Sequence, residues 1–257
     1  MNTAMPENPE ALAFSTAPVG TAWRDVCDAL AVLFTPALIA FLILLALGIV
    51  KARFMPLSEL TAGPLLEDLF YEVVKAFLMT PYAIAVHRFI ILGEKTMSYR
   101  IAPAEPRFRR FFTWSLALSV LANAPAAIFE LPGPTILTVP LGAGLGIAAI
   151  VVGIRAIVLF PAVAVDTPGA NWRQAMADTR GHAWDIISTI VMATLPFVIV
   201  AVVALGLLRA SIAGDAVIAF KDFLVPYGAI VGLFEYTIAV VIASRLYQWT
   251  SLGAWPW

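Results

Sequence analysis

The chain has 257 residues, 61% of them apolar and only 13% charged. Soluble domains run about 45–50% apolar and about 25% charged, so a water-soluble globule is excluded. Basic and acidic residues nearly balance, at a formal charge of −1, which leaves no basic footprint for nucleic acid. The single cysteine, Cys27, excludes an internal disulfide and any cysteine-built zinc site.

In chain order, residues 1–20 read as a loose tail before a single six-helix transmembrane domain over 21–257. Residues 1–31 set Glu7, Glu10, Asp25 and Asp28 against Arg24, the wrong charge for the start of a signal peptide. Thr21 to Leu33 reads as a short interfacial helix. A helical span needs roughly 20 apolar residues. Six stretches supply them, at about 32–50, 69–92, 111–130, 136–160, 186–208 and 223–247. The expected class is therefore all-α, a polytopic membrane protein. Each span contains or begins with a proline (Pro36, Pro81, Pro125, Pro140, Pro196 and Pro226), which membrane helices tolerate because neighbours re-satisfy the freed carbonyls.

Orientation follows from the bases in the loops. Lys95, Arg100, Arg107, Arg109 and Arg110 lie between spans two and three, with Arg24, Arg173, Arg180 and Arg245 on the same side. The other side has Lys51, Arg53, Arg209 and Lys221. Both termini are expected in the cytoplasm. Arg88, Arg155 and Arg245 end spans two, four and six on that face. They read as snorkelling anchors or, more sharply, as a basic ring for lipid phosphate.

Several side chains stand out along the spans. Gly142, Gly146, Ala149 and Gly153 share one stripe of span four, a helix-packing surface that lets another backbone come close. Glu235 sits near the middle of span six, where an ionisable group is costly and faces protein or water. Gly228, Gly232 and Ala239 share its face, so it is expected to point into the bundle. Its functional reading is a proton- or cation-coupled site. The structural reading is a hydrogen bond or an ion pair, with Arg155 as the candidate partner. His87 offers a single ligand for haem or a pigment. Asp178, His182 and Asp185 fall at i, i+4 and i+7, but spacing fixes no third strong ligand, so neither metal nor cofactor is expected. No nucleophile–base constellation marks an enzyme.

Between spans four and five, Asp166-Thr-Pro-Gly169 signals a turn and Asn171 can cap a helix. Trp172, Ala175, Met176, Thr179, Ala183 and Ile186 line one face of that segment. The pattern predicts an amphipathic helix on the membrane surface, turning at Gly181 into span five, with Trp184 just beyond. Trp249, Trp255 and Trp257 make an aromatic anchor at the far end.

The stretch Arg155-Ala-Ile-Val-Leu-Phe-Pro161-Ala-Val-Ala-Val-Asp166, followed by Ala175-Met-Ala-Asp-Thr-Arg180-Gly181-His-Ala-Trp184, resembles the membrane domain of bacterial glycerophosphoryl diester phosphodiesterases. It is also similar to related uncharacterised six-helix inner-membrane proteins, as is Ala85-Val-His87-Arg88-Phe-Ile-Ile-Leu-Gly93-Glu94. The resemblance implies a six-helix fold in the bacterial inner membrane. It carries no enzyme across, because the phosphodiesterase activity of those proteins belongs to a separate soluble domain. The favoured function is a non-enzymatic accessory, assembly or scaffold component, with membrane lipids and membrane proteins, or further copies of itself, as partners. The rival is a small carrier or lipid-handling protein built on Glu235 and Arg155. A third reading is a pigment- or haem-binding subunit through His87.

Overall fold

Prolines set several of the helix boundaries. The computed structural model describes residues 17–54, 63–130, 134–211 and 217–252, and among them every regular element is a helix. The helices are α1 (Ala17–Val32), α2 (Phe34–Phe54), α3 (Gly63–Leu92), α4 (Pro106–Glu130), α5 (Thr135–Ala156), α6 (Leu159–Ala164), α7 (Trp172–Asp178), α8 (Ala183–Ser211) and α9 (Val217–Leu252). Pro36 has no N–H to offer the Val32 carbonyl, and the chain breaks between α1 and α2 there. The flanking bonds survive, Leu33 N–H donating to Ala29 and Ala37 N–H to Leu33, both at 2.9 Å. Pro161 acts in the same way on Ile157, so α5 stops at Ala156 and a short α6 follows. Pro81, Pro125, Pro140, Pro196 and Pro226 lie inside helices that run on through them.

Six helices are long and apolar enough to cross a membrane, with candidate spans Phe34–Arg53, Glu67–Leu92, Pro106–Phe129, Thr135–Ala156, Ala183–Ala210 and Phe223–Thr250. These are the six apolar stretches of the sequence with their ends adjusted. The third begins at Pro106 rather than 111, because proline suits a first helical turn and the helix takes in the basic Arg107 to Arg110. The fourth ends at Ala156 rather than 160, for the Pro161 reason. Helix α1 begins at Ala17; the expected tail otherwise falls on residues 1–16, which lie outside the described residues, as do Trp255 and Trp257.

α1 is the amphipathic helix its pattern predicts: Ala22, Val26, Ala29 and Leu33 are buried, while Arg24, Cys27 and Asp28 face outward. The bundle centres on α3 and α9. Their spans are 33% and 39% buried against 6% for α4, α5 and α8, so the latter present most of their surface outward. α9 packs against α1, α2, α3, α6 and α8; α5 packs on α4, α7 and α8. At one end, called the polar end below, α1, the 93–105 linker, α6, α7 and the last turns of α9 come together. The Lys51–Asp68 ion pair, at 2.9 Å, ties α2 to α3 at the other.

Candidate functional site

The polar end is assembled from arginines that reach across helices. Arg88, near the end of α3, donates two hydrogen bonds to the Glu94 carboxylate at 2.6 and 2.5 Å and a third to the Ala164 carbonyl at 3.1 Å. Its guanidinium also lies 3.6 Å from Asp166. Arg107, on the first turn of α4, grips the same Asp166 with both arms. Asp166 thereby joins α3 and α4 to the turn after α6. It does so in a left-handed backbone conformation, φ 54°, which aspartate tolerates better than most side chains. Arg110 donates to the Ala170 carbonyl of that turn.

Two more arginines close the ring. Arg155 donates to the Met176 carbonyl at 3.0 Å, and the Thr179 hydroxyl donates to the Arg155 carbonyl at 3.4 Å, holding α7 against α5. Arg245 grips Asp25 on α1 and donates to Gln248 at 3.0 Å. The expected basic ring therefore exists as a set of residues, but Arg88, Arg155 and Arg245 point at internal acids and carbonyls. They act as interhelical fasteners rather than free phosphate ligands.

Two cavities open at this end. One, of about 230 Å³, is lined by Arg88, Glu94, Lys95, Ser98, Arg100 and Arg107 among others. The second, of about 170 Å³, lies between α6, α7 and Tyr247, whose hydroxyl meets Thr167 at 2.7 Å. Over the first, the Arg88 hydrogen bonds hold the Glu94 carboxyl below the ordinary glutamate range. The Tyr99 hydroxyl of the same linker donates to the Leu78 carbonyl, and burial raises its phenol above the usual value.

Inside the spans, α3 and α9 are joined by two hydrogen bonds. Tyr82 meets Thr237 at 2.8 Å, and His87 Nδ1 meets the Ser244 hydroxyl at 2.7 Å. His87 is 1% exposed and its ring lies 5.8 Å from that of Phe111. His87 is thus enclosed in the seam between two helices, with Nδ1 on the Ser244 hydroxyl. Asp178 and Asp185 do not share a helix, since α7 stops at Asp178 and Gly181, at φ +88°, turns the chain before α8. The predicted turn falls where expected and dismantles the i, i+4, i+7 face. His182 instead meets Asp185 at 3.3 Å and the edge of Trp249 at 5.0 Å.

Asn171 caps α7 as predicted, accepting from Gln174 N–H at 2.9 Å. Of the face read from the sequence, Ala175, Thr179 and Ile186 are buried and Met176 half-buried, while Trp172, at 41%, and Ala183 are exposed; Trp184, beyond it, is 72% exposed. Along α5, a Cβ on Gly142 would meet the Phe129 ring at 2.6 Å and one on Gly146 would meet Pro125 at 3.8 Å, so these two form the close α4 contact. Ala149 is half-buried. Gly153 has nothing within 4 Å of its Cβ position, so the stripe loses contact toward the polar end.

Glu235 corrects the sequence expectation. Its side chain is exposed, because α2 and α8 pack on the two flanks of α9 and neither covers the face between. Gly228 and Ala239 on that face are exposed as well, and Gly232 touches only Leu44, at 3.8 Å from its Cβ position. Arg155 is engaged with α7, and the expected Glu235–Arg155 pair does not form. Sequence reasoning passed over Tyr82, Thr237 and Ser244, and it named Asp25, Glu94 and Asp166 without their role as the fasteners' partners. Only Asp166, beside its Pro-Gly turn, carried a local signal.

With six such helices, satisfied polar seams between them and a fastened polar end, the chain has the architecture of a multi-pass membrane protein. No protein-family model, curated protein or solved structure matches it.

Proposed function

We propose that the protein is a non-enzymatic accessory, assembly or scaffold component of a complex in the bacterial inner membrane, with both termini in the cytoplasm. The observation that carries this reading is where the polar groups go. The central seam binds Tyr82 to Thr237 and His87 to Ser244, and Arg88, Arg107, Arg155 and Arg245 each bind a neighbouring element. A carrier keeps polar side chains free along its path to exchange them with a substrate; here, apart from Glu235 on the outer face of α9, the polar groups named above are used to hold helices in place. The loop bases gathered at the polar end support the cytoplasmic assignment, and the likeness to phosphodiesterase membrane domains supports a bacterial inner membrane.

The test is gentle extraction from native membranes, native sizing, and mass spectrometry of what co-migrates. A fixed, stoichiometric set of membrane subunits is expected. Migration alone, with one lipid or small molecule retained through purification, overturns the reading in favour of the carrier.

A further inference from the structure

Glu235 lies about halfway along the Phe223–Thr250 span with its carboxylate exposed. Its surroundings have a definite shape. α2 lies on one flank of α9, with Val225 Cγ1 3.2 Å from the Cβ position of Gly48 and Leu44 against Gly232. α8 lies on the other, with the Phe197 and Phe234 rings stacked at 5.8 Å and the Tyr227 hydroxyl donating to the Ala201 carbonyl at 2.5 Å. At 3.6 residues per turn these two sets of contacts sit roughly 140–180° apart around α9, and Glu235 falls between them. Further toward the polar end the same face is closed: Ile242 and Leu246 are each 1% exposed, and α1 packs on both α9 and α8.

The result is a cleft open sideways to the membrane. α2 and α8 form its walls, α1 its end, and Gly228, Gly232, Glu235 and Ala239 its floor. The floor runs about 16 Å along the helix axis at 1.5 Å per residue, roughly half the hydrocarbon thickness.

We propose that this cleft receives one transmembrane helix of a partner protein, which presents a basic side chain to Glu235 at mid-membrane. A carboxylate facing hydrocarbon is unfavourable and is found where an opposite charge or water meets it. A floor of glycine and alanine is what close backbone approach requires. The charge selects among occupants. A second copy meeting this face would set Glu235 against another Glu235, carboxylate against carboxylate. A different helix that carries a basic side chain neutralises the charge instead. This inference rests on the accessory-subunit reading and names its partner class.

The experiment places the fluorescently labelled full-length protein in phosphatidylcholine vesicles with one of two acceptor-labelled probes. These are a leucine-rich transmembrane helix with arginine at its centre and the same helix with leucine there. Energy transfer should show the arginine helix binding at least about tenfold more tightly. Glu235→Leu should abolish that preference. Ala239→Leu, which fills the floor and keeps the carboxylate, should weaken binding of both probes. Native size and melting temperature check that each variant is folded; because both positions face outward, folding should survive.

Equal binding of the two probes overturns the proposal, and so does a preference that persists in Glu235→Leu. Energy transfer between copies of the protein that disappears in Glu235→Leu also overturns it, in favour of self-association. The outcome is separable from the broader reading. A co-purifying subunit set unaffected by Glu235→Leu would leave the accessory role and remove the cleft. A Glu235-dependent probe with no native subunit set would do the reverse.

Discussion

Arg245 on α9 holds Asp25 on α1 through two hydrogen bonds of 2.7 and 2.8 Å, joining residues 220 positions apart. Both side chains are largely shielded, at 21% and 13% exposure, so the pair is neither a screened surface contact nor a fully desolvated one. Asp25→Ala leaves a shielded guanidinium without its acceptor and should cost about 1–3 kcal/mol. The expected readout is a lower unfolding midpoint in detergent together with faster proteolysis within α1. A reversed pair, Asp25→Arg with Arg245→Asp, should recover part of both. Loss of midpoint without any change in α1 cleavage would show that the pair does not anchor that helix.

The hydrogen bonds across the α3–α9 seam make a different prediction, because both partners are buried. Ser244→Ala removes one partner of His87 and leaves its Nδ1 unsatisfied. The expected cost is about 1–2 kcal/mol, at the membrane end of the range for such bonds. Adding His87→Phe removes the orphaned group and retains a planar ring beside Phe111. The double variant should therefore be more stable than Ser244→Ala alone, a coupling that a double-mutant cycle of unfolding free energies measures directly. Additive losses would mean that the 2.7 Å contact contributes nothing.

Gly181 supplies a backbone test. Its φ of +88° is strained for any residue with a Cβ, although nothing lies within 4 Å to obstruct one. Gly181→Ala should thus destabilise by about 1–2 kcal/mol through conformation alone. Gly153→Ala is the control. It too has open space at its Cβ position, but it lies within α5, where alanine is favoured by up to about 1 kcal/mol. The two midpoints should move in opposite directions.

How much of this was legible in advance depended on the range of the interaction. Spans are local: twenty consecutive apolar residues declare themselves, and so do Asn171 as a cap and Gly181 as a turn. Fasteners are not. Nothing near Asp25 points to Arg245, and Arg107 and Asp166 are 59 positions apart, so neither pairing could be read from its own neighbourhood. Glu235 shows the boundary between the two cases. Its helical spacing with Gly228, Gly232 and Ala239 correctly placed four residues on one face. Which neighbours would cover that face depends on the packing of α2 and α8, and periodicity within α9 carries no information about it. The same holds for His87, whose place in the α3–α9 seam required knowing that Ser244 sits opposite.

Glu94 gives a prediction in pH. Its carboxyl titrates below the ordinary range because Arg88 donates two hydrogen bonds to the charged form. For a group whose folded value is depressed, the stabilisation is fully present above the unfolded value, about 4.3 for glutamate, and is lost as pH falls through the folded value. Acidification below about pH 4.3 should therefore release the Arg88–Glu94 contact and loosen the 93–105 linker over the first cavity. A spin label at Met97, which is 81% exposed, should gain mobility across that window. In Glu94→Gln the label should be more mobile already at pH 7 and lose the part of the acid response that belongs to this carboxyl. If the acid response of the label is unchanged in Glu94→Gln, the assignment of that response to Glu94 fails.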